Sequence, residues 1–365
     1  MEIRIYNQLE DMEFFAAQWD DLSLQSPQQN PIMSHAWLSC FFSVYGSQIK
    51  WFVVAAFDAD RLMAVLPLTI QSRKTILGNV FFLQPPKNDH TLSVDAITIS
   101  GSQSVLPLLH KAAFKYCPSA QYIEYSRIDA VSENYRWLAS HQSLLVQTDM
   151  NAFGYSISSD STYDSYYAQL SKNHRSNLNR WSNKLKQFSS SEVIFLDRND
   201  ENTFLGVFEM EHGGWKGREK SSVFSDDKST QYFQSLAASL EKKGWLRYQI
   251  LKGDDSYLAG NFSVRFNKTQ LLWKLAYSDN HSKMSPGSLL LSEIIKDAFE
   301  KKEKIDLMTN ESWYENWNMV KREFMDIQVF QLKPISLLLA VSVKMRMGLS
   351  RLKSWLRKLK KVRFK

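Results

Sequence analysis

Residues 271–299 read LLWKLAYSDNHSKMSPGSLLLSEIIKDAF, and this stretch decides the fold. It predicts a strand, a short polar loop and a helix that begins at Ser285-Pro286-Gly287-Ser288. Proline suits the first turn of a helix, because the amide hydrogen that it lacks would have no partner there. The unpaired amides and partial positive charge of a helix N-terminus can bind an anion such as a pyrophosphate. An ordinary strand-to-helix turn explains the same residues, so this stretch alone leaves both interpretations open.

Length and composition predict two domains with ordinary packed cores. The chain has 365 residues, of which 44% are hydrophobic and 13% aromatic. Cys40 and Cys117 lie far apart without metal-ligand spacing, which favours a reducing compartment over a disulfide scaffold or a zinc site. The first residues do not resemble a secretion signal, and no run of about 18 apolar residues occurs. We therefore expect a cytoplasmic protein.

The net charge of +7 belongs to one end of the chain. Residues 344–365 contain ten basic residues and no acidic residue, so residues 1–343 carry a net charge of −3. A mildly acidic body argues against a nucleic-acid-binding surface there, despite the high overall isoelectric point.

Hydrophobic periodicity predicts alternating helices and strands in both halves. In the first half, WFVVAAF and LMAVLPLTI form a predicted hairpin across residues 58–60. In the second half, a long helix, a strand and two helices precede a three-stranded meander over residues 245–279. The Ser-Pro-Gly helix and the strands KIDLM and MDIQVFQLK follow. This order predicts a three-layer α/β unit.

Five segments of the second half resemble a known family. They are LSKNHRSNLNRWSNKL at 170–185, EHGGWKG at 211–217, YLAGNFSV at 257–264, AYSDNHSKMSPGSLLL at 276–291, and Asp306-Leu307 with the segment from Glu311 to Trp317. Their order resembles that of the GNAT acyltransferases. Within this superfamily it is similar to the CelD-like acetyltransferase domain, which is related to the Fem-type peptidoglycan aminoacyl transferases.

The resemblance implies an α/β (α+β) fold of tandem GNAT-like units, with mixed, largely antiparallel central sheets flanked by helices. Residues 1–150 would form a diverged first unit, and residues 151–333 would form the acetyltransferase domain. Residues 334–365 would form a basic amphipathic C-terminal helix.

Three residues depart from the family pattern. Trp313 and Tyr314 stand where the family has tyrosine and lysine, and Asn310 stands where glycine is usual. If that lysine contacts a substrate anion in the relatives, this protein handles its substrate differently.

Acyl transfer from a thioester requires a bound coenzyme, a polarised carbonyl and a deprotonated acceptor. The resemblance implies that Ser285, Pro286, Gly287 and Ser288 hold the pyrophosphate of the coenzyme. Tyr277 ends the preceding strand, and its phenol is a candidate to protonate the leaving thiolate, although tyrosines at strand ends often only pack.

His212 is the candidate general base, since the ordinary pKa of histidine lies near neutrality. Gly213 and Gly214 follow it, and Glu209 and Glu211 flank it, so we include Glu211 among the candidate catalytic residues. A capping or packing histidine is the alternative. Neither a Ser-His-Asp order nor a metal-ligand cluster is legible in the sequence, so we predict no covalent intermediate and no metal.

Two groups of basic and aromatic residues are candidates for substrate binding. Lys172 and Arg175 share one face of a predicted helix, where they could bind phosphates of the coenzyme or of the acceptor. Lys216 and Arg218 closely follow Trp215 and add positive charges beside its ring. A solvated helix face explains the first group equally well.

The C-terminal segment has a helical apolar period. The apolar residues that recur at steps of three or four are Leu338, Val341, Met345, Leu349, Leu352, Leu356 and Leu359. A basic amphipathic helix of this kind is typical of peripheral binding to an anionic membrane surface. A helix that binds a partner protein or RNA is the alternative. Removal of the residues after 333 is expected to leave the body folded.

The sequence therefore predicts a cytoplasmic acyltransferase, either free or peripheral at the inner face of the membrane. It would move an acyl group from acetyl-CoA or another acyl-CoA to an amine or hydroxyl. The family and the C-terminal segment suggest an envelope or exopolysaccharide precursor as acceptor, either a small molecule or a lipid-linked glycan. One rival is a Fem-type transferase that uses aminoacyl-tRNA, the one nucleic-acid partner we consider. The other is an inactive GNAT-like scaffold of a polysaccharide-synthesis complex.

Overall fold

The structure is a computed structural model. It describes residues 1–27, 30–75, 77–91, 93–141, 145–254, 256–307, 309 and 311–345, and side chains of residues 145–149 and 151–153 are not considered. The last twenty residues, where most of the predicted basic helix falls, lie outside the described residues, as does Asn310.

Thirteen strands of the described chain form one mixed sheet. They are β1 (Glu2–Tyr6), β2 (Lys50–Asp58), β3 (Arg61–Thr75), β4 (Gly78–Gln84), β5 (Ile97–Thr98), β6 (Ala120–Asp129), β7 (Leu145–Ile157), β8 (Ser191–Leu196), β9 (Leu246–Gly253), β10 (Ser256–Phe266), β11 (Thr269–Tyr277), β12 (Lys304–Leu307) and β13 (Val320–Phe330). Their order is β1-β2-β3-β4-β6-β13-β7-β12-β11-β10-β9-β8, with β5 paired to β3. Two pairs, β4 with β6 and β11 with β12, are parallel and the others are antiparallel. The predicted α/β class with a largely antiparallel sheet is confirmed.

Helices cover both faces of this sheet. They are α1 (Ala16–Gln25), α2 (His35–Tyr45), α3 (Leu106–Tyr116), α4 (Glu133–Ser140), α5 (Tyr163–Gln169), α6 (Lys172–Phe188), α7 (Glu201–Gly213), α8 (Trp215–Arg218), α9 (Asp227–Lys242) and α10 (Pro286–Lys301). Residues 334–345 are also helical and are called α11 here.

The two halves share this sheet instead of forming separate sheets. β7 runs through residue 150, and β13 pairs with β6 of the first half on one side and with β7 on the other. A central β13 connects the halves because the chain returns to β6 after it has built the second half. The proposed division at residues 150 and 333 stays a prediction.

Side chains of β13 also connect the halves. The guanidinium of Arg322 donates to Asp129 of β6 at 2.9 Å from its Nε, and it also pairs with Asp306 of β12. All three side chains are largely buried. A buried cation between two carboxylates resists separation of the strands, because removal of one partner leaves an uncompensated charge.

One hydrophobic core contains residues of both halves. The ring centroids of Trp37 on α2 and Trp273 on β11 lie 4.6 Å apart, and Ser239 on α9 donates to the carbonyl of Ala36 at 2.7 Å. This packing fixes the first half against the helices that carry the candidate site.

Candidate active site

A cavity of about 560 Å³ opens where β11 and β12 diverge. The two parallel strands pair over Thr269–Leu271 and Lys304–Asp306. β11 continues to Tyr277, whereas the chain after β12 turns into a short 3₁₀ helix at Ser312–Trp317. Residues of both segments line the cavity.

The cavity brings together six residues that the sequence predicts for the site. They are Trp215, Lys216, Tyr277, Ser285, Gly287 and Ser288. They come from α8, the end of β11 and the start of α10, which are separated by up to about seventy positions in the chain. Pro286, the first residue of α10, is buried directly beside them.

The N-terminus of α10 presents an open backbone donor to this cavity. Pro286 is the first helical residue, and no side chain of the described chain caps the helix. The amide of Ser288 bonds to the carbonyl of Ser285 at 3.0 Å, which leaves the Gly287 amide as a donor for a bound anion. Ser285 has a left-handed backbone with φ of +47°, a strained conformation for serine that is typical of functional sites.

Gly287 permits the close approach of Tyr277. A Cβ atom at position 287 would lie 3.2 Å from Cδ1 of the Tyr277 ring, tighter than an ordinary contact. The phenol of Tyr277 is therefore held against the first turn of α10, on the same wall as the helix N-terminus.

A buried group of charged side chains stands behind the cavity wall. Oε1 of Glu211 accepts from Nζ of Lys216 at 2.9 Å and lies 3.3 Å from Nζ of Lys274. Oε2 of Glu211 accepts from the amide of Val223 at 3.0 Å. Lys274 also lies 2.9 Å from Nδ1 of His90, which comes from the first half.

Burial and mutual charge set the protonation of this group. Burial lowers the pKa of Lys274 to about 8, with Lys216 adding to the effect and Glu211 opposing it. Burial, with the nearby Lys274 adding to the effect, lowers the pKa of His90 to about 4. Burial raises the pKa of Glu211, but Lys274 and Lys216 lower it more, so the net pKa is below the ordinary value. At neutral pH, His90 is thus neutral and its Nδ1 accepts from the Lys274 ammonium.

A β-bulge positions Trp273 and Lys274. Phe262 pairs with Lys274 and Ser263 pairs with Leu272, so Trp273 is the extra residue on β11. Its indole lines the cavity and donates to the carbonyl of His90 at 3.0 Å. The bulge therefore contributes both a cavity wall and the buried lysine.

His212 and Glu211 are neighbours in the chain, but the structure separates their side chains. Glu211 is buried among the lysines, whereas His212 is exposed and does not line the described cavity. Nδ1 of His212 lies 2.8 Å from the hydroxyl of Ser222. Glu211, with its lowered pKa, would be a weak base. The role of His212 as general base stays a prediction.

Lys172, Arg175 and Arg218 are not part of the cavity wall. Lys172 is the exposed first residue of α6, and Arg175 lies one turn along the same helix. Arg218 lies 3.2 Å from Asp279 and connects α8 to the loop before α10. Their roles in substrate binding stay predictions.

Trp313 and Tyr314, which depart from the family pattern, both line the cavity. Their rings stack with centroids 3.8 Å apart, and Tyr314 is buried. Glu311, which precedes them, contributes an exposed carboxylate to the same wall. Here an aromatic wall occupies the position where the relatives are expected to have lysine.

Sequence reasoning missed His90, Lys274 and the Glu311 carboxylate. Lys274 does have a signal, because a lysine within the apolar strand LLWKLAY must find a partner when the strand is buried. His90 lies between β4 and β5 without a local pattern.

The sequence of residues 172–316 matches the family model described as an acetyltransferase (GNAT) domain. This matched stretch, residues 172–316, is a GNAT domain. All cavity residues named above belong to it, whereas His90 is added by the first half. No curated protein matches the sequence of this chain.

Solved structures with low sequence identity share the fold over almost the whole chain. FemX is 11% identical, with 93% of this chain and 100% of FemX covered at a TM-score of 0.62. L-PGS from Bacillus licheniformis is also 11% identical. The match covers 93% of this chain and 98% of L-PGS, with a TM-score of 0.54. The C-terminal domain of a putative lysylphosphatidylglycerol synthetase from Agrobacterium fabrum is 8% identical. The match covers 91% of this chain and 96% of that domain, with a TM-score of 0.52. The fold around the GNAT domain is thus shared from end to end.

Among the described residues, no three His, Cys, Asp or Glu side chains form a group that could hold a metal ion. In the same part of the chain, no helix is long and apolar enough to cross a bilayer.

Proposed function

We propose that this protein transfers an acyl group from an acyl-CoA, such as acetyl-CoA, to an amine or hydroxyl group. The observation that supports the proposal is the single cavity that joins the uncapped start of α10, the Tyr277 phenol and the Lys216 ammonium. An anion site, a proton donor and a cation in one cavity are what thioester acyl transfer requires.

The residues of the cavity fit the donor. The Gly287 amide and the partial positive charge of α10 would hold the pyrophosphate. Leu272 and Leu275 of β11 supply an apolar wall for the pantetheine arm. The ammonium of Lys216 donates to Glu211 at 2.9 Å. Because this contact already holds the side chain in place, little conformational entropy is lost when the donor binds.

Two side chains transfer protons in this proposal, and a third is an alternative to one of them. As the acceptor nitrogen or oxygen bonds to the carbonyl carbon, the carbon–sulfur bond breaks and Tyr277 donates its proton to the leaving sulfur. Glu311 is the carboxylate in the described cavity wall, so we assign it the proton that the acceptor loses. His212 is the alternative base. Tyr277 then recovers a proton from solvent.

The acceptor is proposed to be an envelope or exopolysaccharide precursor, either free or lipid-linked. Trp215 is half exposed on the cavity wall and offers a flat apolar surface to a sugar ring, with Lys216 beside it. The ammonium of Lys216 lies 5.9 Å from the centroid of the Trp215 ring, so the flat apolar surface and the positive charge are adjacent.

The donor is tested by calorimetric titration of the purified protein with acetyl-CoA. The wild type should bind, and Gly287→Glu should weaken binding by on the order of 100-fold, because it places bulk and negative charge at the anion site. Gln234→Glu, on the exposed side of α9, adds the same charge elsewhere and should bind as the wild type does.

Two results would contradict acyl-CoA as donor. One is no binding of acetyl-CoA or longer acyl-CoA to the wild type, and the other is equal binding by Gly287→Glu. Binding of charged tRNA in place of acyl-CoA would favour the Fem-type rival, as the fold shared with FemX permits.

A further inference from the structure

Helix α11 is packed against the sheet by one apolar face. Leu339 and Ala340 are buried to 3% and 2% exposure, and Val343 packs beside them. Their neighbours are Val80, Phe82, Tyr122 and Phe330 of β4, β6 and β13. The helix is therefore a fixed part of the body, at least over residues 334–345.

The opposite face of α11 is also apolar, yet it is exposed. Leu338, Val341 and Met345 are 58%, 49% and 64% exposed. Steps of 100° per residue place these three side chains on one side of the helix, opposite the packed face. A helix that is apolar all around is normally buried, so this outer face is expected to have a partner.

Charge identifies that partner. Residues 344–365 follow directly from the outer face and contain ten basic residues and no acidic one. A second copy of the chain would bring the same positive charges to the contact, and like charges repel. An anionic lipid surface attracts them.

We infer that the outer face of α11 docks the protein on the surface of an anionic bilayer. Leu338, Val341 and Met345 would enter the boundary between headgroups and acyl chains, while the basic residues meet the lipid phosphates. Because the inner face of α11 is packed on the sheet, docking would hold the whole body at the membrane. The inference does not depend on the proposed acyl transfer, since it uses none of the cavity residues.

The packed face of α11 also corrects the expected effect of truncation. A cut after residue 333 would remove Leu339 and Ala340 and uncover the apolar side chains of β4, β6 and β13. Such a protein is expected to lose stability, so the docking surface is better tested with substitutions in the full chain.

The test is co-sedimentation of the full chain with vesicles of phosphatidylcholine alone or mixed with phosphatidylglycerol. Leu338→Gln/Met345→Gln should lower the partition coefficient onto the anionic vesicles by on the order of tenfold, because two side chains no longer leave water. The control Leu108→Gln/Val131→Gln removes two exposed apolar side chains elsewhere and should leave binding unchanged. Glutamine at Lys353, Arg357, Lys358, Lys360 and Lys361 removes five of the ten positive charges and should lower the dependence on salt and on anionic lipid by about half.

Three results would overturn the inference. Equal loss in the control variant would show that any exposed apolar side chain contributes. Equal binding to both kinds of vesicle would remove the role of charge. A dimer in sedimentation velocity that Leu338→Gln/Met345→Gln dissociates, without vesicle binding, would show that a second copy covers the face. Loss of acyl-CoA binding would leave the docking result unaffected.

Discussion

The ammonium of Lys274 lies 2.9 Å from Nδ1 of His90, although 184 positions separate the two residues in the chain. Lys274 belongs to the GNAT domain and His90 to the first half. The same ammonium lies 3.3 Å from Glu211, which fixes Lys216 in the cavity wall. The first half thus takes part in the electrostatics of the candidate site, and does more than cover one edge of the sheet.

Burial of the Lys274 ammonium should make the stability of the wild type depend on pH in a way that the stability of Lys274→Met does not. The variant should lose about 1–3 kcal/mol in the free energy of unfolding at neutral pH, because His90 and Glu211 lose a partner. The pKa of Lys274 is about 8 in the folded protein, below its ordinary value, so between these values the unfolded chain binds the extra proton. The free energy of unfolding of the wild type should therefore rise by about 2 kcal/mol relative to that of the variant between about pH 8 and about pH 9.5.

Urea unfolding at a series of pH values measures this difference. The control is Lys301→Met, which removes the ion pair of an exposed lysine with Asp297 on α10, while Asp297 keeps its pair with Arg247. It should change the free energy of unfolding by less than about 0.5 kcal/mol and should follow the wild-type curve. A Lys274→Met curve that stays parallel to the wild type would show that burial does not perturb the lysine.

Tyr277→Phe and Glu311→Gln should each lower turnover by roughly 100-fold, since each removes one proton transfer from the proposed reaction. His212→Ala should lower it by less than about threefold, because this side chain is exposed outside the described cavity wall. Turnover is measured as thiol released from acetyl-CoA, with glucosamine as a first amine acceptor.

Tyr116→Phe is the matched control, because Tyr116 is exposed to a similar degree as Tyr277 but lies on α3. A large loss in His212→Ala together with normal turnover in Glu311→Gln would restore the histidine as base. Normal turnover in Tyr277→Phe would leave substrate positioning as the source of catalysis.

Local patterns predicted the elements that form the site. The alternation of apolar residues predicts the β2–β3 hairpin and the β9–β10–β11 meander, and both are confirmed. The Ser-Pro-Gly sequence predicts the start of α10, because proline at the first position has a local physical reason. These features depend on neighbours within a few residues, which a sequence shows directly.

The features that sequence reasoning missed depend on contacts between distant residues. His90 meets Lys274 because α2 and α9 pack the halves together, and no local pattern encodes that packing. The bulge at Trp273 is set by the register with β10 and reorients two side chains at once. Continuity of the sheet likewise depends on β13, which pairs with a strand almost 200 positions earlier.

A second buried acid lies at the junction of the halves. Asp95 is 3% exposed, and its Oδ1 accepts from Asn134 at 3.0 Å and from the amide of Ala96 at 2.7 Å. Its Oδ2 has no partner among the described residues. Burial raises the pKa of Asp95 to about 7, and Asp129 adds to this rise, although the two hydrogen bonds to Oδ1 oppose it.

Asp95→Asn should stabilise the protein above neutral pH. The folded protein holds the Asp95 proton up to about pH 7, whereas the unfolded chain releases it near pH 4, so the wild type loses stability as the pH rises between these values. Asparagine cannot ionise, and its oxygen can still accept from Asn134 and Ala96. The free energy of unfolding of the variant should rise relative to the wild type by about 3 kcal/mol between about pH 5 and about pH 8.

Urea unfolding at a series of pH values measures this difference. The control is Asp58→Asn, at the exposed end of β2, which should follow the wild type. Parallel curves for Asp95→Asn and the wild type would mean that the carboxylate is ionised in the folded protein despite its burial.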